Sequence, residues 1–134
     1  MMIAAYTWTA LATIAALIVL LGVSIAVGRA RIRHGIDAPQ TTGNPDFERC
    51  FRVQQNTLEQ FVFFLPSLWL AAFTLGDRWA AIGGVVWVVG RIVYAQGYYR
   101  AADKRHIGFL LTVPPSIVLL LGALIAILSR LLAS

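Results

Sequence analysis

Arg52, Asn56 and Glu59 recur at helical spacing directly before the uncharged stretch 61–75. Crossing a hydrocarbon core takes ~20 helical residues, so a helix through that stretch must recruit residues from the polar segment before it. Asn56 and Glu59 then sit at or inside the bilayer boundary, where an ionisable side chain is costly and marks a functional site by default. At ~100° per residue, Arg52, Asn56 and Glu59 share one helical face, with Glu48 and Arg49 beside it, and Gln54 projects roughly opposite to Arg52. Further along, Arg91, Tyr94 and Tyr98 share a face, and Arg105 is expected to join it by continuation of the helix past Tyr99. Arginines offer forked contacts to carboxylates; Glu59 can hold an ammonium and Asn56 an amide. Together they suit a small polar ligand bearing carboxylates and an amine. The opposed directions of Arg52 and Gln54 favour a site shared between neighbouring subunits. A structural reading stays open beside this one. Glu59 can pair with Arg91 or Arg52 simply to fix helix register, and Tyr94 and Tyr98 can serve, like Trp8, Trp69 and Trp79, as interfacial aromatics.

The elements that must position these residues are membrane helices. The chain has 134 residues, 59% hydrophobic and 13% charged, which is more apolar than soluble domains are. Long apolar runs without strand-like alternation predict an all-α membrane protein, a single domain over 1–134 built as a four-helix bundle. The spans fall at about 3–28, 45–75, 79–99 and 107–128. Residues 1–28 lack a basic start and carry an apolar run longer than a signal-peptide core, so they read as a retained first span. A loop rich in turn residues, 34–45, follows it. Gly76, Asp77 and Arg78 predict a tight hairpin between the second and third spans, and Pro66 and Pro114-Pro115 predict kinks.

Charge sets the expected orientation. Arg29, Arg31, Arg33, Arg49, Arg52, Arg91, Arg100, Lys104 and Arg105 lie toward one end of the bundle, and Arg78 and Arg130 toward the other. The positive-inside rule places loops 29–46 and 100–106 in the cytoplasm and both termini on the opposite side. The net charge of +5 therefore speaks for topology and membrane lipid, and no nucleic-acid-binding fold accompanies it. One cysteine, Cys50, excludes an intrachain disulfide; two scattered histidines, His34 and His106, give no metal spacing. No partner at catalytic spacing accompanies any of the three, which read as structural.

Several segments resemble the membrane-associated proteins in eicosanoid and glutathione metabolism, the MAPEG family of microsomal glutathione transferases and leukotriene C4 synthase. They are Thr41 to Arg49 (TTGNPDFER), Arg52 to Glu59 (RVQQNTLE), Phe64-Leu65-Pro66, Gly90 to Tyr98 (GRIVYAQGY) and Lys104-Arg105. The combination of R-x-Q-x-N-x-x-E leading into one span with R-x-x-Y-x-x-x-Y in the next is specific. The resemblance implies a homotrimer with glutathione, the co-substrate, bound between adjacent subunits near the cytosolic face, and no metal. It places Arg31, Arg52, Gln54, Asn56, Glu59, Tyr94 and Tyr98 on the glutathione contacts and Arg105 on the thiolate-stabilising arginine. A nearby guanidinium lowers a thiol pKa from its ordinary ~8.5, raising the nucleophilic fraction. The partner implied is a hydrophobic electrophile or lipid hydroperoxide. Two positions depart from the pattern: Gln60 stands where leukotriene C4 synthase has a tyrosine, and Ile32 follows Arg31 where that enzyme has paired arginines. These departures favour general conjugation or peroxide reduction over the specialised epoxide reaction. Two alternatives remain: a non-catalytic lipid-binding or scaffold member of the same fold, and a small four-span exporter using Glu59.

Overall fold

A computed structural model of the chain describes residues 5–133. It contains four long helices: α1 (Thr7–His34), α2 (Pro45–Leu75), α3 (Asp77–Arg100) and α4 (His106–Leu132). A short 3₁₀ turn, Ala102–Arg105, separates α3 from α4. The four helical segments are long and apolar enough to cross a membrane, as the composition predicts. The start expected at residue 3 lies outside the described residues.

The first helix runs further than its apolar stretch suggests. It continues through Gly28 and the arginines to His34, where Gly35 ends it in the left-handed conformation (φ 62°) and Ile36 N–H bonds Arg31 O at 3.0 Å. A single glycine inside a helix costs only about 1 kcal/mol, too little to stop α1 before a residue suited to a left-handed cap.

The second helix starts where the sequence predicts. Asn44 Oδ1 accepts the Asp46 and Phe47 N–H groups at 2.8 and 3.3 Å, Pro45 occupies the first turn, and the Glu48 carboxylate accepts Gly43 N–H at 3.0 Å. These contacts satisfy donors that a helix start leaves orphaned. Gly76 alone joins α2 to α3. Asp77, at the start of α3, accepts the Trp8 and Thr9 N–H groups at 3.0 and 2.7 Å and so caps α1 as well. Arg130, near the end of α4, donates to Thr74 O at 3.0 Å.

The core of the bundle combines an aromatic stack with small residues. Phe64 lies flat on Trp87 at 4.1 Å, Phe61 meets Trp87 edge-on, and Ala16, Ala71 and Ala80 pack around them. Large apolar side chains such as Leu17, Leu21, Ile82 and Leu124 face outward. Lipid or a second copy of the chain is the natural medium for such a surface.

Candidate polar site at one end of the bundle

The polar residues of α2 sit on the turns just before its apolar half, and Arg52 and Glu59 lie two turns apart on its outer face. Their side chains meet at 3.4 Å, each about half exposed. An ion pair that long and that exposed contributes at most about 1 kcal/mol. Both charges are therefore free to turn toward a ligand. Asn56 links the pair to the interior: its amide donates to Glu59 Oε2 at 3.4 Å, and its carbonyl accepts from Arg91 of α3 at 3.0 Å.

Arg91 is fully buried. Its second terminal nitrogen donates to Thr57 Oγ1 at 2.7 Å, and Thr57 in turn donates to Val53 O at 2.7 Å. The guanidinium stands 4.1 Å from the Tyr94 ring centroid. Thus Glu59 pairs with Arg52, and Arg91 takes neutral partners. Its Nε lacks a partner among the described residues. A buried guanidinium keeps its charge and is costly without a counter-ion.

From Tyr94 the track continues outward. The Tyr94 and Tyr98 rings lie 5.6 Å apart on one face of α3. Arg105 stands over Tyr98, 5.5 Å from the ring centroid, and donates to its hydroxyl at 3.3 Å. The route by which Arg105 arrives differs from the expectation of a longer helix. The third helix ends at Arg100, Ala101 is extended, and the 3₁₀ turn folds back against α3. Gly97 permits that fold, since a Cβ there would lie 2.3 Å from Lys104 O. Gly108 permits α4 to follow: its Cβ would lie 2.2 Å from Tyr94 N. These close approaches place Arg105 on the tyrosine face.

The remaining sequence-predicted residues go elsewhere within one chain. Arg31 donates to Gln40 O at 2.7 Å and lies over the Phe47 ring at 4.8 Å, bracing the loop after α1. Gln54 accepts a long bond from Gln55 at 3.4 Å. Neither hydrogen-bonds the Arg52–Glu59 cluster. Arg49, expected beside that cluster, pairs with Asp46 and donates to Tyr99 O at 3.3 Å, tying α2 to α3. Thr57 has no signature in the sequence beyond following Asn56; only the reach of Arg91 brings it in. Among the described residues no group of histidine, cysteine and carboxylate side chains could hold a metal.

The result is a continuous series of forked cations, one carboxylate, an amide and two phenols, crossing from α2 through α3 to the 3₁₀ turn. It can hold a small ligand carrying carboxylates and an ammonium, and it sets a permanent cation, Arg105, at its outer end.

Comparison with known proteins identifies the family of the chain. The MAPEG family model matches residues 9–125, which include every residue of the polar series. An uncharacterised protein of Synechocystis is 54% identical over 92% of this chain and 90% of its own length. Human microsomal glutathione S-transferase 2 is 40% identical over 75% of this chain and 69% of its own, and guinea-pig leukotriene C4 synthase 43% over 71% and 65%. With four helices suited to crossing a membrane and a family match over most of its length, the chain is a multi-pass integral membrane protein of the MAPEG family.

Proposed function

We propose that this protein is a glutathione transferase, active as a homotrimer, that joins the glutathione sulfur to hydrophobic electrophiles arriving through the bilayer. One observation carries the reading: Arg52, Asn56, Glu59, Arg91, Tyr94, Tyr98 and Arg105 form one connected series that ends on an exposed guanidinium. Relatives at about 40% identity named glutathione S-transferase and leukotriene C4 synthase support it.

In this reading Arg52 takes a glutathione carboxylate and Glu59 its ammonium, exchanging their weak mutual contact for the ligand. Asn56 and the tyrosines hold the peptide part. Arg31 and Gln54, which make no hydrogen bond to the cluster of their own chain, complete the site of the adjacent subunit. Loops 29–46 and 100–106 face the cytoplasm, where water-soluble glutathione enters.

Arg105 cannot act as a base, because its guanidinium stays protonated. Its role is to stabilise the thiolate after the thiol proton leaves to water. The thiolate then attacks the electrophilic carbon, a C–S bond forms, and the leaving group departs with its electron pair. With a lipid hydroperoxide, the same thiolate attacks the terminal peroxide oxygen, the O–O bond breaks, the glutathione sulfur becomes a sulfenic acid and the released alkoxide takes a proton from water to leave as the alcohol. A second glutathione thiol then attacks that sulfur, forming the disulfide and releasing water.

Reduced glutathione added to the purified trimer should produce the ultraviolet difference absorbance of a thiolate at neutral pH, and the protein should conjugate a small chloronitrobenzene. A folded trimer giving neither signal would exclude the transferase and leave the scaffold and exporter alternatives.

A further inference from the structure

A groove between α1 and α3 runs from the arginine-rich end of α1 into the apolar part of the bundle. Its outer chamber, about 290 Å³, has Arg29, Arg33 and His34 at the rim and Gly22 and Ala26 at the floor, with Cys50 of α2 and Tyr99 of α3 across from them. An inner chamber of about 260 Å³ shares Gly22, Ala26 and Tyr99 and continues between Val19 and Ile92. The two chambers share no residue with the polar series described above.

The rim carries charge in excess of its partners. Among the described residues neither Arg29 nor Arg33 has an ion-pair or hydrogen-bond partner. Asp46, also on the wall, is already held by Arg49. Arg29 and Arg33 lie one helical turn apart on the same face of α1, so both can reach one anion. The floor is open: a Cβ added at Gly22 would meet no atom within 4 Å. Cations at the boundary above an apolar slot match one molecular shape. A soluble anion has no use for the slot, and a neutral lipid has none for the arginines.

We propose that this groove binds one anionic phospholipid. The phosphate lies between Arg29 and Arg33 with His34 beside it, and one acyl chain follows Gly22 and Ala26 toward Val19 and Ile92. The lipid fills a wedge between α1 and α3 that protein atoms leave open. This inference stands or falls separately from the transferase reading, since none of these residues belongs to that site.

The test is native mass spectrometry of the full protein released from bilayers of mixed phosphatidylglycerol and phosphatidylcholine. The wild type should retain one phosphatidylglycerol per chain in preference to phosphatidylcholine. Each boundary arginine contributes about a fivefold preference for an acidic lipid, so Arg29→Gln/Arg33→Gln should lose roughly 25-fold of it. Arg33→Gln alone should lose part, which keeps the test open if the double variant does not fold. Gly22→Leu, which fills the floor, should lower retention with all charges in place, whereas Arg78→Gln at the opposite end should change nothing. Equal retention of both lipids, or an unaltered preference in the folded double variant, would overturn the proposal. Displacement by millimolar inorganic phosphate, with Gly22→Leu without effect, would make it a soluble-anion site and overturn it as well.

Discussion

The two ends of the bundle use charge differently. At the hairpin end, Asp77 caps the first turn of α1 and Arg130 closes the last turn of α2 through Thr74 O. Both engage backbone groups that a helix end leaves without partners. At the other end Glu48, Arg49 and Arg31 perform the same closing tasks on loops and helix ends. Yet Arg52 and Glu59 remain half exposed in a long contact, and Arg105 rests on a tyrosine and has no ion pair among the described residues. Closing the helices therefore accounts for Asp77 and Arg130 at one end, where Arg78 only adds its charge beside Asp77, and falls short at the other. The surplus is where the proposed ligand chemistry is located.

Substitutions that separate closure from surplus can break this comparison. The largest effect should come from Gly108→Ala, whose added Cβ would lie 2.2 Å from Tyr94 N. Forcing α4 away from α3 should cost about 3 kcal/mol, visible as early thermal unfolding in detergent, and any folded remainder should lose glutathione binding because Tyr94 and Arg105 separate. Next, Arg52→Ala or Glu59→Ala should weaken glutathione binding by about 1.5–3 kcal/mol through loss of a charged hydrogen bond, read by titration calorimetry. Their thermal stability should shift by less than about 1 kcal/mol. The smallest effect, and the opposite pattern, belongs to Asp77→Ala. Losing a cap should cost about 1 kcal/mol of stability and leave glutathione affinity unchanged. If Asp77→Ala weakened binding while Arg52→Ala did not, the division between the two ends would collapse.

Much of the fold follows from the sequence itself. Four spans follow from apolar length, and the second helix begins at Pro45 because Asn44-Pro45 is a strong start signal. The Arg52–Asn56–Glu59 face follows from helical spacing alone. What sequence spacing could not supply were contacts between helices. Arg91 could have met Glu59, since both lie on polar faces, but depth and rotation bring it to Asn56 and Thr57 instead. Arg105 was expected on an extended α3. It reaches Tyr98 because the chain turns back at Ala101, and two glycines with different neighbours allow that turn to pack. A glycine read alone does not reveal which backbone will approach it. The stop of α1 at Gly35 rather than Gly28 has a similar cause: a cap depends on backbone conformation, and both residues are the same type.

If the surplus cation at the outer end of the series holds the glutathione thiolate, an ultraviolet pH titration of glutathione bound to the wild type, Arg105→Ala and Arg105→Lys will reveal it. On the wild type the thiol should titrate well below its ordinary ~8.5. Removing Arg105 should move that titration back toward the free value, slow conjugation at neutral pH and let higher pH restore part of the rate, while binding weakens less than catalysis. Lysine should recover part of the shift, keeping the charge without the planar fork. A folded Arg105→Ala trimer that binds glutathione with the same depressed thiol titration as the wild type would contradict the account.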